Sequence, residues 1–212
     1  MSQQYQPPVD DAAAVPASTD EAAVIPAPET NTSAPRRSHL LREIVETVLL
    51  TVAIFLVVNA ATGRFRIEGQ SMEPNLHDGE YVLIDKVSYR LRSPERGDVI
   101  VFERPGNDRD YIKRIIGLPG DTVQVSGGKV FVNGAVLDEP YLNQVTHSDM
   151  PARQVEIGRY FVMGDNRNNS SDSRAFGNIL LKDIIGRAWL VYWPPSDWTV
   201  VPHHTYAAAS SP

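Results

Sequence analysis

The chain has 212 residues, a net charge of −6 and no cysteine. That length holds one or two small domains with a real core, and the acidity leaves no electrostatic case for a nucleic-acid partner. Without a thiol, disulfides, thiolate catalysis and Cys-ligated zinc are all excluded.

Residues 1–35 are rich in Ala, Pro, Ser, Thr, Asp and Glu and nearly devoid of large apolar side chains. Such a segment cannot bury enough surface to offset its ordering entropy, so residues 1–39 are expected to form a disordered polar leader. Arg36, Arg37 and Arg42, with His39 among them, make a short basic patch. "IVETVLLTVAIFLVVNA", residues 44–60, then carries a single charge, Glu46. At about 1.5 Å per residue this stretch spans roughly 25 Å, and Leu40 and Leu41 lengthen it toward a bilayer core. A buried helix of a soluble domain is a rival reading, but the stretch is apolar all round. A cleaved signal peptide is another, since Val58-Asn59-Ala60 resembles a small-residue cleavage site; the long polar leader argues against it. A retained transmembrane helix over 40–61 is the favoured expectation. Three arginines before it and two after bias its N-terminus toward the cytoplasm.

Beyond residue 63 the pattern changes to short strands with turn punctuation. Strands are expected at 65–68, 81–87, 98–103, 111–116, 122–125, 130–132, 154–157, 160–163 and 188–193. Pro-Gly at 105–106 and 119–120, Gly-Gly at 127–128 and Asn133-Gly134 separate them. The last is a hairpin signal. No helical period follows the span, so residues 62–193 are expected to be an all-β domain, a sandwich or irregular barrel. The tail 194–212 is Pro- and Ala-rich and is expected to fray, with Trp198 available to anchor it.

Three stretches could carry chemistry. In "GQSMEPNLHDGE", residues 69–80, Ser71 sits in a turn-rich segment. A serine hydroxyl is a poor nucleophile without a base. His77 and Asp78 invite a Ser-His-Asp reading, but residues so close in a turn rarely face one another correctly. In "DYIKRIIG", residues 110–117, strand alternation places Tyr111, Lys113 and Ile115 on one face. Burial of that face would lower the pKa of Lys113 and make its amine a competent base; an exposed face would let it snorkel to water. Alternation alone leaves both open. The third stretch, "GDNRNNSSDSR", residues 164–174, is dense in hydrogen-bonding side chains. It reads as a polar loop, or as a buried network in which Asp165 and Asp172 pair with Arg167 or Arg174. It fails the calcium-loop pattern, with Arg167 and Ser170 in the wrong places.

Taken together and in order, "GQSMEPNL", "DYIKRIIGLPGD", "GDNRNNSSDSR" and "GRAWLVYWP", behind one N-terminal span, resemble bacterial type I signal peptidase. The resemblance runs from the span to about Pro194. It implies the β fold shared by signal peptidases and self-cleaving repressors, with a smaller inserted β region over about 121–159. It implies a serine endopeptidase that removes signal peptides from secretory preproteins bearing small residues before the cut. The expected location is the bacterial plasma membrane, single-pass, with the catalytic domain on the extracytoplasmic side and no cofactor or metal. Ser71 falls on the family's nucleophile, Lys113 on its general base and Ser170 on the hydroxyl that orients the lysine. Asp165, Asp172 and Arg174 fall on the salt-bridged support. Phe65, Ile67, Met72, Leu76, Tyr111 and Ile112 fall around the substrate pockets. Gly69 stands where many members carry a serine of the oxyanion hole, which leaves the Ser71 N–H as the expected donor. Asn75 stands where the family usually has threonine, a change expected to matter little. The rivals are another Ser-Lys peptidase, such as a conjugation-pilus processing enzyme, and a membrane-anchored β domain that binds peptides without cutting them.

Overall fold

The computed structural model describes residues 36–104, 106–107 and 109–206. Of the leader expected over residues 1–39, residues 1–35 lie outside the described residues, as does the end of the tail, 207–212, while residues 36–39 are helical rather than disordered because they continue the apolar helix outward.

Helix α1 runs Arg36–Ala61. Its segment His39–Ala61 is long and apolar enough to cross a membrane, about 34 Å at 1.5 Å per residue. Leu49, Phe55 and Val57 are all well exposed, as expected of side chains that meet lipid rather than a protein core. Thr51 Oγ1 bonds back to the Thr47 carbonyl at 2.8 Å, which hides its hydroxyl within the helix.

The strands follow directly: β1 Thr62–Arg66, β2 Tyr81–Asp85, β3 Val99–Glu103, β4 Asp110–Gly117, β5 Thr122–Ser126 and β6 Lys129–Val132. Then come β7 Ala135–Val136, β8 Met150–Gln154, β9 Arg159–Met163, β10 Ile179–Leu180, β11 Ile184–Trp193 and β12 Thr199–Val200. One sheet has the order β1-β2-β11-β3-β4-β9-β10, with β12 added against β11; a four-stranded sheet has the order β7-β6-β5-β8. All pairings are antiparallel. The fold is therefore all-β behind one apolar helix. Asn133 and Gly134 take φ values of 54° and 81°, the left-handed pair that a two-residue hairpin turn requires between β6 and β7.

Strands β3 and β4 are buried on both faces. Val99 and Val101 join Ile67, Met72, Leu76, Ile112 and Val191 in one core cluster. Ile100 and Phe102 face the other way, onto Ile115, Val162 and Ile179. A third cluster joins Ile116, Phe161 and Met163 of the large sheet to Val123, Val125 and Val130 of the small one. That double burial explains why "VIVF" and "IIG" read as continuous apolar runs rather than alternating ones.

Three sequence expectations are corrected. The first strand lies at Thr62–Arg66, not 65–68, because the chain leaves α1 directly into β1 and then turns out at Ile67, whose N–H meets Glu80 O at 2.8 Å. The strand expected at 154–157 lies earlier, at Met150–Gln154. Val155 instead pairs with the turn before β5, bonding to Asp121 O at 2.7 Å, and Ile157 is exposed. The tail does not fray at Pro194. Residues 199–200 form β12, and Val201 is 1% exposed within the first core cluster. The apolar Val201 anchors a segment whose Pro content alone suggested disorder.

Candidate active site

Ser71 sits on an excursion, residues 67–80, that interrupts the β1–β2 hairpin. Its neck is closed by Ile67 N–H to Glu80 O and by Gly79 N–H to Ile67 O at 2.9 Å. Asp78 Oδ1 accepts from Gly69 N–H at 2.7 Å, and Glu80 Oε2 accepts from His77 N–H at 2.9 Å. Ile67, Met72 and Leu76 plunge into the core and fix the excursion from below. Asp78 is thus used on the backbone, and the exposed His77 ring makes no hydrogen bond among the described residues. The Ser-His-Asp alternative has no geometry.

Lys113 provides the partner. It is 3% exposed on β4, and its Nζ lies 2.6 Å from Ser71 Oγ. The same nitrogen donates to the Ile112 carbonyl at 2.7 Å. Burial pushes its pKa down to about 8, against the attraction of Asp172 and Asp165, which act in the opposite direction. In its neutral form the amine has one lone pair, and Ser71 Oγ is placed to give it a proton.

The segment 164–174 closes the site from behind. Asn166 N–H bonds to the Ser71 carbonyl at 3.0 Å. Asp172 accepts from Arg174 Nε and Nη2, both at 2.8 Å, and from Gly164 N–H at 3.1 Å. Asp165 does not pair with Arg167 or Arg174. Its two oxygens accept from Arg114 Nε at 2.8 Å and Nη2 at 2.7 Å, a bidentate pair with neither side chain exposed. Arg167 turns instead to Glu139, with Nη1 to Oε2 at 2.9 Å. Ser170 Oγ is buried and has no hydrogen-bond partner, so it does not orient Lys113 in this arrangement.

A cleft of about 790 Å³ opens in front of the pair. Phe65, Tyr111, Ile112 and the two reactive side chains line it. Ile67, Met72 and Leu76 do not, because core packing consumes their surface. Strand β9 pairs with β4 only from Arg114 onward, so among the described residues the β9-side edge of Tyr111–Lys113 is left open. The Ser71 N–H donates to no acceptor among the described residues and remains available to a developing oxyanion.

Sequence reasoning missed Arg114, Asn75 and Gly164. Alternation along β4 puts Arg114 on the face opposite Lys113 and does not name its partner. Asn75 Nδ2 donates to Asp165 Oδ2 at 2.8 Å and to the Tyr141 carbonyl at 3.0 Å, so the residue that replaces the family's threonine ties the Ser71 turn to the acidic support. A Cβ at Gly164 would collide with the Ser71 carbonyl and the Ser170 side chain. The available signal was a cationic residue inside "IKRII", where no apolar run tolerates a charge without a buried partner.

Residues 40–193 match the family described as signal peptidase, peptidase S26. The chain belongs to the signal peptidase family. It is 37% identical over 171 residues to signal peptidase I of Leptolyngbya laminosa, covering 76% of this chain and 84% of that one. It is 43% identical over 162 residues to a Synechocystis protein named "Probable signal peptidase I-2", covering 74% and 73%. Signal peptidase IB of Staphylococcus aureus is 37% identical over 180 residues, covering 76% and 94%. As a signal peptidase family member the chain is a serine endopeptidase, and its apolar N-terminal helix marks it as membrane-anchored.

Proposed function

We propose that this chain removes N-terminal signal peptides from secretory preproteins, with Ser71 as nucleophile and Lys113 as general base. The observation that carries the assignment is the 2.6 Å approach of Ser71 Oγ to an amine whose pKa burial lowers to about 8. Neutral Lys113 takes the hydroxyl proton as Ser71 Oγ bonds to the carbonyl carbon of the residue before the cut. The Ser71 N–H stabilises the resulting oxyanion. Lys113 then protonates the leaving amine and the C–N bond breaks. Water gives a proton to Lys113, attacks the ester, and Ser71 Oγ departs with that proton.

The cleft supports the substrate class. An extended peptide fits the open edge of Tyr111–Lys113 by strand addition, with alternate side chains directed at the walls. Phe65, Tyr111 and Ile112 give the cleft apolar walls beside the pair, and the preference for small residues one and three positions before the cut is taken from the family resemblance. Asp165, Asp172 and Arg174 brace the backbone behind the pair, and Ser170 is the hydroxyl that the family resemblance assigns to orienting Lys113. The catalytic domain stands on the extracytoplasmic side of a single span, at the surface where the substrate is itself anchored. Shared anchoring raises effective concentration without any added contact.

The test is cleavage of a preprotein by the full chain in detergent and in vesicles. Ser71→Ala and Lys113→Ala should each lose at least about a thousandfold in kcat while keeping the β circular dichroism. Wild-type cleavage by either variant would remove that residue from the mechanism. The absence of native cysteine allows sidedness to be read directly. One cysteine introduced in the leader and one in β7 should label oppositely with a membrane-impermeant reagent, and identical labelling would overturn the topology.

A further inference from the structure

The family match ends at residue 193, yet the chain continues along the back of the site. Val201 N–H bonds to Trp189 O at 2.9 Å, and β12 extends β11 at Leu190 and Val191. The His203 ring is wedged between two strands: Nδ1 accepts from Val99 N–H of β3 at 3.0 Å, and Nε2 faces Ala188 O of β11 at 2.8 Å. That pattern requires the neutral tautomer with its proton on Nε2. Burial, then the Arg187 cation, pushes the ring's pKa down to about 4, with Asp98 opposing. His204 N–H reaches Gly97 O at 3.3 Å, and a Cβ at Gly97 would land on the His204 carbonyl, so the two backbones lie in direct contact.

This segment closes the coordination of Arg114. Its Nε and Nη2 hold Asp165, while Nη1 donates to Gly97 O at 3.0 Å and to Pro202 O at 2.9 Å. Its guanidinium lies 4.1 Å from the centre of the Tyr141 ring, whose hydroxyl is 2.9 Å from the Tyr206 hydroxyl. Arg114 directly follows Lys113 on β4, and its partner Asp165 holds Asn75 of the excursion that carries Ser71. Both halves of the reactive pair are therefore tied to one guanidinium, and the tail supplies part of its cage.

We infer that residues 199–206, plugged in by His203, form a positioning strap that fixes Arg114, and through it the Ser71 turn and the Lys113 strand. The inference rests on the Ser71–Lys113 assignment. No residue of the strap lines the cleft, so its effect passes through Arg114. Loosening it frees one Nη1 proton, lets water reach the Arg114–Asp165 pair and blurs the Ser71–Lys113 distance.

The experiment uses the full chain in detergent, with His203→Ala and Tyr206→Ala, a preprotein substrate and circular dichroism for the folded fraction. Per folded molecule, kcat should fall between about ten- and a hundredfold, as displacements of about 1 Å at a reacting pair do. KM should hold within about twofold, and the acid limb of kcat/KM should move to higher pH as Lys113 becomes better solvated. A merely structural tail would lower the melting temperature and leave kcat per folded molecule and the acid limb unchanged; that result overturns the strap. Should His203→Ala not fold, Tyr206→Ala, which removes only the outer contact, decides by the same two readouts. Ser71→Ala separates the two levels. A dead Ser71→Ala beside strap variants of wild-type kcat and pH profile sinks the strap alone; an active Ser71→Ala sinks the pair and the strap with it.

Discussion

Replacing Lys113 with methionine should change how stability responds to pH in a way no surface lysine could. The amine is 3% exposed, and its pKa drops from the ordinary 10.5 to about 8. That difference corresponds to about 3 kcal/mol at about 1.36 kcal/mol per pH unit. Below pH 8 both folded and unfolded chains bind the proton, and the fold bears the whole desolvation cost. Between 8 and 10.5 the unfolded chain binds more protons than the folded one, so stability of the native chain rises with pH. Above 10.5 the cost vanishes. Lys113→Met has no such group, so the stability gap between native and variant should be constant below about pH 8 and change by about 3 kcal/mol in favour of the native chain by pH 10.5. Loss of the bonds to Ser71 Oγ and the Ile112 carbonyl adds an offset that barely depends on pH, so the slope isolates the buried charge. The assay is urea unfolding of the full chain in detergent at several pH values, followed by tryptophan fluorescence. The same titration predicts activity: about one-tenth of the amine is neutral at pH 7 and about half at pH 8, so kcat/KM should climb about fivefold over that unit and level within about twofold of its pH 8 value. A gap that stays flat from pH 7 to 10.5, or one that moves in favour of the variant, refutes the reasoning.

Other substitutions probe the support. Arg114→Met leaves the Asp165 carboxylate buried without its cation and should cost about 3–5 kcal/mol in urea unfolding, with Asp165→Asn in the same chain recovering part of it. Gly164→Ala places a methyl against the Ser71 carbonyl and Ser170, and should cut kcat more than about tenfold at little cost in KM in a preprotein assay. Ser170→Ala removes a buried hydroxyl that has no partner, so its melting temperature should match or exceed the native one while turnover falls. A native rate in that variant would exclude Ser170 from the reaction.

Strands were legible where both flanking turns announce themselves. Asn133-Gly134 and Gly127-Gly128 take left-handed backbone and delimit β6 to within a residue. Boundaries failed where tertiary contacts overrode local pattern, as at Val155, whose partner is a turn rather than a strand. The reactive residues were legible as types and not as a pair. Alternation along "DYIKRIIG" divides residues between two faces, but only the core clusters packed against both of them show that the strand is buried from Ile112 onward. The acidic residues of 164–174 were legible as a network, yet the cation on Asp165 comes from 51 positions earlier in the chain. No local window contains that pairing. The tail was misread for a related reason: its ordering depends on Val201 and His203 meeting strands β3 and β11, which composition cannot report.

The charge arrangement explains why a lysine can do here what a histidine does elsewhere. A histidine base starts near neutrality and gains from a carboxylate behind it. A lysine starts far above neutrality, and a bare carboxylate nearby would raise it further. Asp165 and Asp172 both lie close enough to exert that pull. Each is already saturated: Asp165 by two guanidinium contacts and an Asn75 amide, Asp172 by two guanidinium contacts and the Gly164 N–H. Their pull on Lys113 remains, and desolvation outweighs it. Buried ion pairs are poor contributors to stability, so two of them in so small a site call for another reason. They let carboxylates brace the Ser71 turn and the loop behind it with directional bonds, while burial of the amine outweighs the pull they exert on it.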